Sequence, residues 1–426
     1  MTNPLSVQKI NNHIFYGWIV LITSFILSAV GMGVYYCFGV FLKPLQDEFN
    51  VGRAAVSSIY SVYGLVQLAA VLGGKASDKW GPRIVLGISG PICCLAFILS
   101  SHVSYLWQLY ITYSFLLGIG GCAAYTTSLA TISRWFVKKR GLAMGLISAG
   151  IACGMMIMPP IVQNFIDNYG WRTAMVILGI ASLIVYEVCA LTIWKKPEDV
   201  GLLPYGIEKN TSNVTSKNIA VHSDSPEEEI TLKQAIHTRE LWLLFALFCT
   251  LSMSIMMVNT HIVSYALDSN ISAANAALIV SVIGAGGMVG KILGGALSES
   301  LGPRRTIMIA SVGMAALMIW LTSPLSTLSF FVFAFPFGMG YGGWILSISL
   351  LTGEIFGTSH YGEIFAFANM GFALFGSFAS PLLAGYLFDS TGSYHIPFLV
   401  GAAVSFMGLV CVFLLKKRKL KLNTEH

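Results

Sequence analysis

Long apolar runs follow one another along almost the whole chain, separated by short polar segments. A run of roughly 18 or more apolar residues is long enough to cross a bilayer as a helix. The chain is therefore expected to be an all-α integral membrane protein. The pattern predicts twelve spans, at about residues 15–42, 52–77, 83–101, 105–133, 139–164, 171–194, 239–267, 272–299, 304–323, 325–353, 361–388 and 394–415.

One polar loop occurs twice. The sequence GKASDKWGPR at residues 74–83 returns as GALSESLGPR at residues 295–304, an offset of 221 positions. The same offset relates Pro160 to Pro381. Parallel repeats of this kind build many secondary transporters, with the substrate site between the two repeats. The repeat therefore predicts two pseudo-symmetric six-helix bundles.

The longest polar segment lies between the sixth and seventh apolar runs. It is rich in Ser, Asn, Thr, Lys and Glu. Such a composition cannot bury enough apolar surface to form a core of its own. The predicted organisation is an N-terminal six-helix bundle at 1–196, a cytoplasmic linker at 197–237, and a C-terminal six-helix bundle with a basic cytoplasmic tail at 238–426.

Composition and charge agree with a membrane protein. The chain is 55% hydrophobic and only 10% charged, whereas soluble domains carry about 25% charged residues. The net charge of +6 comes from Lys and Arg that cluster between the apolar runs, so it indicates membrane topology and not nucleic acid. Most of these basic loops fall on one side, which predicts a multi-pass protein of the cell membrane with both termini in the cytoplasm.

The sequence offers no chemistry typical of an enzyme. The eight cysteines lie in apolar runs and are expected to be small buried hydrophobic residues. No Cys/His spacing suggests a metal site, and no phosphate-binding loop suggests a nucleotide. We therefore expect no catalytic residue, no metal and no cofactor, and a process driven by gradients of solutes.

The repeated loop also repeats its charges. Asp78 and Glu299 occupy equivalent positions in the two copies, and so do Arg83 and Arg304. Arg140, at the start of the fifth span, is a basic candidate partner for Asp78. We expect these five residues to form a cytoplasmic gate that closes in one state and breaks in the other. The alternative is a loop that only fixes the topology.

The repeated loop resembles the signature loop of the major facilitator superfamily, glycine–x3–Asp–basic–x–Gly–x–basic. Within that superfamily, three stretches resemble the monocarboxylate transporter family and the bacterial oxalate/formate antiporter group: YGW at 16–18, RWFVKKRGLAMG at 134–145 and HIVSYALD at 261–268. The resemblance implies the major facilitator fold, in which spans one, four, seven and ten line a central cavity.

Lys291 is the most informative charge inside a span. It lies about eight residues before the inner end of the eighth span, or roughly 12 Å deep at 1.5 Å per residue. A lysine at membrane depth costs about 2.5–3.5 kcal/mol, so it is expected to face a cavity or a partner. The resemblance implies an anion site, because the family has a substrate-binding arginine here and a proton-coupling aspartate at the position of Gly287. The alternative is a lysine that snorkels to the headgroups.

Other polar residues are candidates for the same cavity. His261 can titrate near neutral pH and can donate a hydrogen bond to a carboxylate. The resemblance gives Lys43, at the outer end of the first span, a role in proton coupling beside Lys291; the alternative is an interfacial anchor. The remaining substrate-binding candidates carry hydroxyl or amide groups: Tyr35, Tyr36, Tyr125, Tyr341 and Asn369.

The predicted function is secondary active transport by alternating access. The expected solute is a small organic anion, a monocarboxylate such as lactate or pyruvate, moved with proton symport. The expected partners are this carboxylate, protons and the lipid bilayer, without nucleic acid; the oligomeric state stays open and includes a monomer. The alternatives are an organic anion exchanger of the oxalate/formate type and a solute-binding membrane sensor.

Overall fold

The structure is a computed structural model that describes residues 15–69, 76–77, 79–206, 230–323, 326–357 and 360–415. These residues are helical almost throughout, which confirms the all-α prediction. The main helices are α1 Tyr16–Phe49, α2 Arg53–Val66, α3 Pro82–Ser101, α4 Leu106–Trp135, α5 140–169, α6 171–192, α7 Arg239–Asp268, α8 Ala273–Leu301, α9 Pro303–Trp320, α10 Thr327–Phe356, α11 Tyr361–Thr391 and α12 His395–Leu414.

Nine helices in the described part of the chain are long and apolar enough to cross a membrane. One of them, Arg140–Thr192, has 53 residues, and non-helical backbone at Gly170 divides it into α5 and α6. The other two helices, α2 with 14 residues and α9 with 18, fall outside these nine. The protein is thus a multi-pass membrane protein, and the count of twelve spans stays a prediction.

Three of the helices are irregular, and short turns lie between others. The first helix is interrupted at Cys37, between Tyr16–Tyr36 and Phe38–Phe49. Wider π-type turns occupy Tyr110–Leu116 in α4 and Phe372–Ala379 in α11. Short helical turns are found at Gln67–Ala69, Pro197–Val200 and Leu232–Ala235.

The Gly-Pro-Arg end of the repeated loop starts a helix in the same way in both copies. Gly81 and Gly302 have φ angles of 89° and 86°, which residues with a side chain rarely adopt. Pro82 and Pro303 follow as the first helical residues of α3 and α9. A fixed φ and a missing N–H suit that position. The repeat therefore encodes a turn followed by a helix start.

Glycines let α8 and α10 approach backbone to backbone. A Cβ placed on Gly286 would collide with the carbonyl of Phe335, and one on Gly290 would collide with the carbonyl of Met339. Small residues allow such close packing in lipid, where no hydrophobic force draws helices together. This contact fixes α8 against α10 and so sets the positions of the side chains that both helices contribute to the site.

We call α1–α6 the N-half and α7–α12 the C-half. The distal end is the end at which α1 finishes and α2 begins, and the proximal end is the end at which α1 begins. The two halves contact each other through α1 with α7, α2 with α11, and α5 with α8. Residues 207–229 of the predicted linker and residues 416–426 of the predicted tail lie outside the described residues.

Candidate functional site

A small cavity lies between α5, α8 and α10, at the contact of the two halves. Its volume is about 10 Å³, close to the smallest volume that holds one water molecule. A solute with several carbon atoms can enter only when the helices around the cavity separate. The lining residues are Ile151, Ala152, Met155, Gly284, Gly287, Lys291 and Tyr341.

Lys291 reaches from the C-half to the N-half inside this cavity. Its Nζ donates a hydrogen bond of 2.7 Å to the backbone carbonyl oxygen of Ser148 on α5. The side chain of Lys291 thus contacts the other half of the molecule. It does not extend along α8 toward the end of the helix, as a snorkelling lysine would. Among the described residues Lys291 forms no ion pair with a carboxylate. An ammonium has three donors and a full charge, so a neutral carbonyl leaves most of its binding capacity unused.

Three tyrosines contribute hydroxyl groups in and around the cavity. Tyr341 lines the cavity, and its hydroxyl lies 2.8 Å from the hydroxyl of Tyr36 on α1. The hydroxyl of Tyr125 on α4 lies 3.2 Å from Oγ of Ser148, the residue whose carbonyl accepts from Lys291. The structure therefore brings Lys291, Tyr341, Tyr36 and Tyr125 together at one place, as their predicted roles require.

Two other predicted residues lie apart from the cavity lining. The hydroxyl of Tyr35 donates to Oγ of Ser377 on α11 at 3.0 Å and lies 3.8 Å from Sδ of Met256 on α7. Tyr35 thus joins the two halves without lining the cavity. The side chain of Asn369 is exposed on α11 and is not part of the lining either.

His261 is fully buried, but its contacts are in another cluster. Its Nδ1 lies 3.1 Å from the hydroxyl of Tyr394, and its Nε2 lies 3.0 Å from the carbonyl oxygen of Pro381 and 3.4 Å from Oγ of Ser57. A carbonyl can only accept, so Nε2 carries the proton and Nδ1 of the neutral ring accepts from Tyr394. Both ring nitrogens are therefore engaged, and the structure does not bring His261 to Lys291; its substrate-binding role stays a prediction.

Lys43 also lies away from the cavity. Its Nζ pairs with Oδ1 of Asp47, one helical turn further on, at 2.7 Å. The two side chains are 38% and 60% exposed, and exposed pairs of this type contribute at most about 1 kcal/mol. The geometry agrees with the interfacial alternative for Lys43.

A buried arginine joins the two halves at the distal end. Arg53, at the start of α2, is only 3% exposed. Its Nη1 and Nη2 each lie 2.7 Å from a carboxylate oxygen of Asp268 at the end of α7. The guanidinium carbon lies 3.8 Å from the ring centroid of Phe388 and 5.0 Å from that of Tyr394. The ion pair thus has one charge-assisted hydrogen bond, from Nη2 to Oδ1, and the guanidinium also contacts two aromatic rings.

Asp389 of α11 forms a second contact between the two halves at the distal end. Its Oδ1 accepts from the backbone N–H of Arg53, and its Oδ2 accepts from that of Ala54, both at 2.9 Å. A carboxylate is favourable at a helix N-terminus, where N–H groups lack partners inside the helix. We call Arg53, Asp268 and Asp389 the distal latch. Sequence reasoning missed it, because the partners of Arg53 lie more than two hundred positions away along the chain.

The arginines of the repeated loop bind within their own halves. Arg83 donates to the last carbonyls of α6 and its C-terminal neighbour, and Arg304 donates to the last carbonyls of α12. Cations at such positions satisfy carbonyls that have no partner inside the helix. Neither contact links the two halves in this structure, and the gate role of Arg83 and Arg304 stays a prediction. The acceptors are Leu191 at 2.7 Å and Ile193 at 3.1 Å for Arg83, and Phe413 at 2.6 Å and Val412 at 3.1 Å for Arg304.

The rest of the predicted cytoplasmic gate is not assembled in this structure. Asp78 lies outside the described residues. Arg140 and Glu299 are exposed at the proximal end, and within the described ranges neither forms an ion pair. The gate stays a prediction for Asp78, Arg140 and Glu299.

Apolar helices in two halves, with a charged cavity between them, define a membrane transporter. The sequence matches the Major Facilitator Superfamily over residues 23–380, and the chain belongs to that superfamily. A bacterial homolog of the human lysosomal transporter Spinster, solved in an inward-facing and occupied conformation, has the same fold. Its TM-score is 0.72 at 14% identity, and the match covers 94% of this chain and 96% of that one.

The relatives of this chain include several monocarboxylate transporters. Monocarboxylate transporter 12 of Homo sapiens is 27% identical over 407 residues, which are 90% of this chain and 77% of that protein. Monocarboxylate transporter 13 of Rattus norvegicus is 27% identical over 404 residues, which are 92% of this chain and 87% of that protein. The chain is thus a transporter related to this group, and the prediction that it is not an enzyme is confirmed.

Proposed function

We propose that the protein is a secondary active transporter for a small monocarboxylate, with Lys291 as the group that binds the carboxylate. The observation that carries this proposal is the hydrogen bond from Lys291 to the carbonyl of Ser148 across the two halves. A carboxylate is a stronger acceptor than a neutral carbonyl, because charge-assisted hydrogen bonds are about twice as strong as neutral ones. A solute carboxylate can therefore displace Ser148 and take its place.

The composition of the cavity favours one carboxylate and a short carbon chain. Lys291 is the cation in the lining, so a second buried carboxylate would lack a partner there. The wall on α5 is apolar, formed by Ile151, Ala152 and Met155. The hydroxyl of Tyr341 adds one donor. Lactate and pyruvate fit this arrangement, and relatives of this chain are monocarboxylate transporters.

The distal latch supports alternating access, because its contacts join the two halves at one end and can break together. Solute entry from that side requires Arg53 to leave Asp268, and Asp389 to leave the N-terminus of α2. We place both termini in the cytoplasm, on the distribution of basic loops, so that the distal end faces outward. In this arrangement two six-helix bundles, 1–196 and 238–426, rock against each other around the cavity, with 197–237 as the cytoplasmic linker.

Proton symport is the proposed energy source. A desolvated lysine changes its protonation readily, so Lys291 can release its proton when the carboxylate leaves. Lys43 is the weaker candidate, since it is exposed and paired with Asp47. An exchanger that swaps one carboxylate for another is the alternative, and it requires no proton movement.

The proposal is tested by uptake of radiolabelled lactate and pyruvate into proteoliposomes, with and without an inward proton gradient. Symport predicts uptake that rises with the gradient and is lost in Lys291→Ala. Lys43→Ala is the matched control, because it also removes one lysine, and it is expected to behave as the wild type. Uptake that is independent of the proton gradient but increases with lactate inside the vesicles would indicate exchange and not symport. Normal uptake by Lys291→Ala would contradict the proposed site.

A further inference from the structure

The glycines of α8 are not equivalent in what they contact. A Cβ on Gly286, Gly290 or Gly294 would collide with the backbone of α10. A Cβ on Gly284 would lie 2.8 Å from the backbone N of Met156 on α5. These glycines are required by the close approach of neighbouring helices.

Gly287 is different, because the space beside it admits a methyl group. The nearest atoms to a Cβ at this position would be Cδ1 of Tyr341 at 3.6 Å and the carbonyl oxygen of Gly338 at 3.7 Å. Both are ordinary van der Waals distances. Glycine is also a poorer helix former than alanine. Neither helix packing nor helix propensity accounts for a glycine at residue 287.

The missing side chain of Gly287 leaves space inside the cavity. Gly287 is buried and lines the same cavity as Lys291. The two residues are four apart on α8, so they lie on one face of the helix, about 6 Å apart along its axis at 1.5 Å per residue. The space over Gly287 is bounded by the ring of Tyr341 and by the apolar wall of α5.

We propose that Gly287 determines which carbon chains the transporter accepts. This inference rests on the proposed function: Lys291 holds the carboxylate, and the chain of the solute extends over Gly287 between Tyr341 and Met155. A side chain at residue 287 then occupies the volume that the solute needs. The solutes concerned are monocarboxylates with chains longer than that of acetate, and branched chains are affected most.

The test is a series of substitutions measured against a series of acids. Gly287→Ala and Gly287→Val are reconstituted, and kcat/KM is measured for acetate, propionate, butyrate and 3-methylbutyrate. We expect acetate, which has the shortest carbon chain, to lose the least transport. Each added methyl group at residue 287 should lower kcat/KM for the longer acids by about tenfold, since one methylene in an apolar pocket is worth about 10- to 200-fold.

Two controls separate a size filter from general damage. Gly313→Ala makes the same change on α9, where a Cβ would meet nothing within 4 Å, and it should leave the preference for chain length unchanged. Gly290→Ala should lower the yield of folded protein, whereas Gly287→Ala should unfold no earlier than the wild type. An equal loss for all four acids, or an unchanged preference in Gly287→Val, would overturn the inference. If the wild type transports lactate but none of the four acids, the inference alone fails; if it transports neither lactate nor these acids, the proposed function fails as well.

Discussion

Arginines at the two ends of the molecule make contacts of different kinds. At the distal end, Arg53 binds a carboxylate and two aromatic rings of the C-half. Near the proximal end, Arg83 and Arg304 bind backbone carbonyls of their own halves. The repeated arginines thus hold each half together, and the arginine at position 53 joins one half to the other.

The difference between these arginines corresponds to the internal repeat of the sequence. Arg83 and Arg304 are related by the offset of 221 positions, and both donate to backbone carbonyls at the end of a helix. Arg83 also stacks over the ring of Trp194, 3.4 Å from its centroid. At the same offset, Arg53 corresponds to Ala274, so the distal latch exists in one copy only. A carrier with two rocking halves needs contacts that persist through the cycle and contacts that break. In the proposed transport cycle, the repeated sequence would provide the first kind of contact, and an unrepeated residue would provide the second.

The largest expected effect is on the distal latch. Arg53→Ala removes the ion pair with Asp268 and both ring contacts, and breaking a buried pair costs about 3–5 kcal/mol. Part of this cost is recovered because Asp268 is 35% exposed. We therefore expect the equilibrium to move about a hundredfold toward a distally open state, or about 2.7 kcal/mol. Spin labels at Asp47 and Ser390, exposed distal positions of the two halves, should report a longer distance.

The matched control for this prediction is Asp268→Asn, which keeps the shape and removes the charge. It should open the distal end less than Arg53→Ala does. A distance distribution in Arg53→Ala that equals that of the wild type would show that the latch does not hold the halves together.

A smaller effect is expected for the repeated arginines. Arg83→Ala and Arg304→Ala each remove two hydrogen bonds from a charged donor, and such bonds contribute about 1.5–3 kcal/mol apiece when desolvated. Because these side chains are partly exposed, we expect a net loss of about 1–3 kcal/mol in the free energy of unfolding. Thermal unfolding of the purified variants measures it. The distal distance should stay as in the wild type; a shift there would mean that these arginines act between the halves after all.

The hydroxyl pair between the halves is expected to contribute less. Tyr36→Phe or Tyr341→Phe removes one hydrogen bond of 2.8 Å, worth about 1 kcal/mol. Because both hydroxyls belong to one bond, the double variant should lose little more than either single variant. A double-mutant cycle on the unfolding midpoint tests this. Additive losses would show that the two hydroxyls act independently.

The smallest effect is expected at Lys43. Lys43→Ala removes an exposed pair with Asp47, so stability should change by less than about 1 kcal/mol. Uptake driven by a proton gradient should stay unchanged, since the side chain lies outside the cavity. A loss of gradient dependence in this variant would restore the coupling role that the resemblance implies.

Much of the architecture could be predicted from the sequence, because apolar runs report directly which segments avoid water. The run predicted at 394–415 is the helix His395–Leu414. Helix ends were predicted less well where a helix leaves the apolar layer. The run predicted at 15–42 continues as helix to Phe49, through polar residues such as Lys43 and Asp47. The length of an apolar run reflects the thickness of the bilayer, and a helix can continue beyond that run through polar residues.

The site could be predicted only in part. Lys291 was evident, because a charge in an apolar run is costly. The partners of His261 were not, since Tyr394 and Pro381 lie more than a hundred positions away along the chain. The distal latch was missed for a related reason. Arg53 lies at the start of an apolar run, where a charged residue is ordinary. Its burial follows only from packing against α7 and α11.

The most direct test of the account is binding of a carboxylate to purified protein, measured as the rise of the unfolding midpoint with lactate. A ligand at a hundred times its dissociation constant stabilises the folded state by about 2.7 kcal/mol. If Lys291 binds the carboxylate, lactate should clearly raise the midpoint of the wild type and raise that of Lys291→Arg less. It should not raise that of Lys291→Ala, and lactamide, which lacks the charge, should have no effect. An equal rise in Lys291→Ala and the wild type would contradict the claim that Lys291 binds the solute.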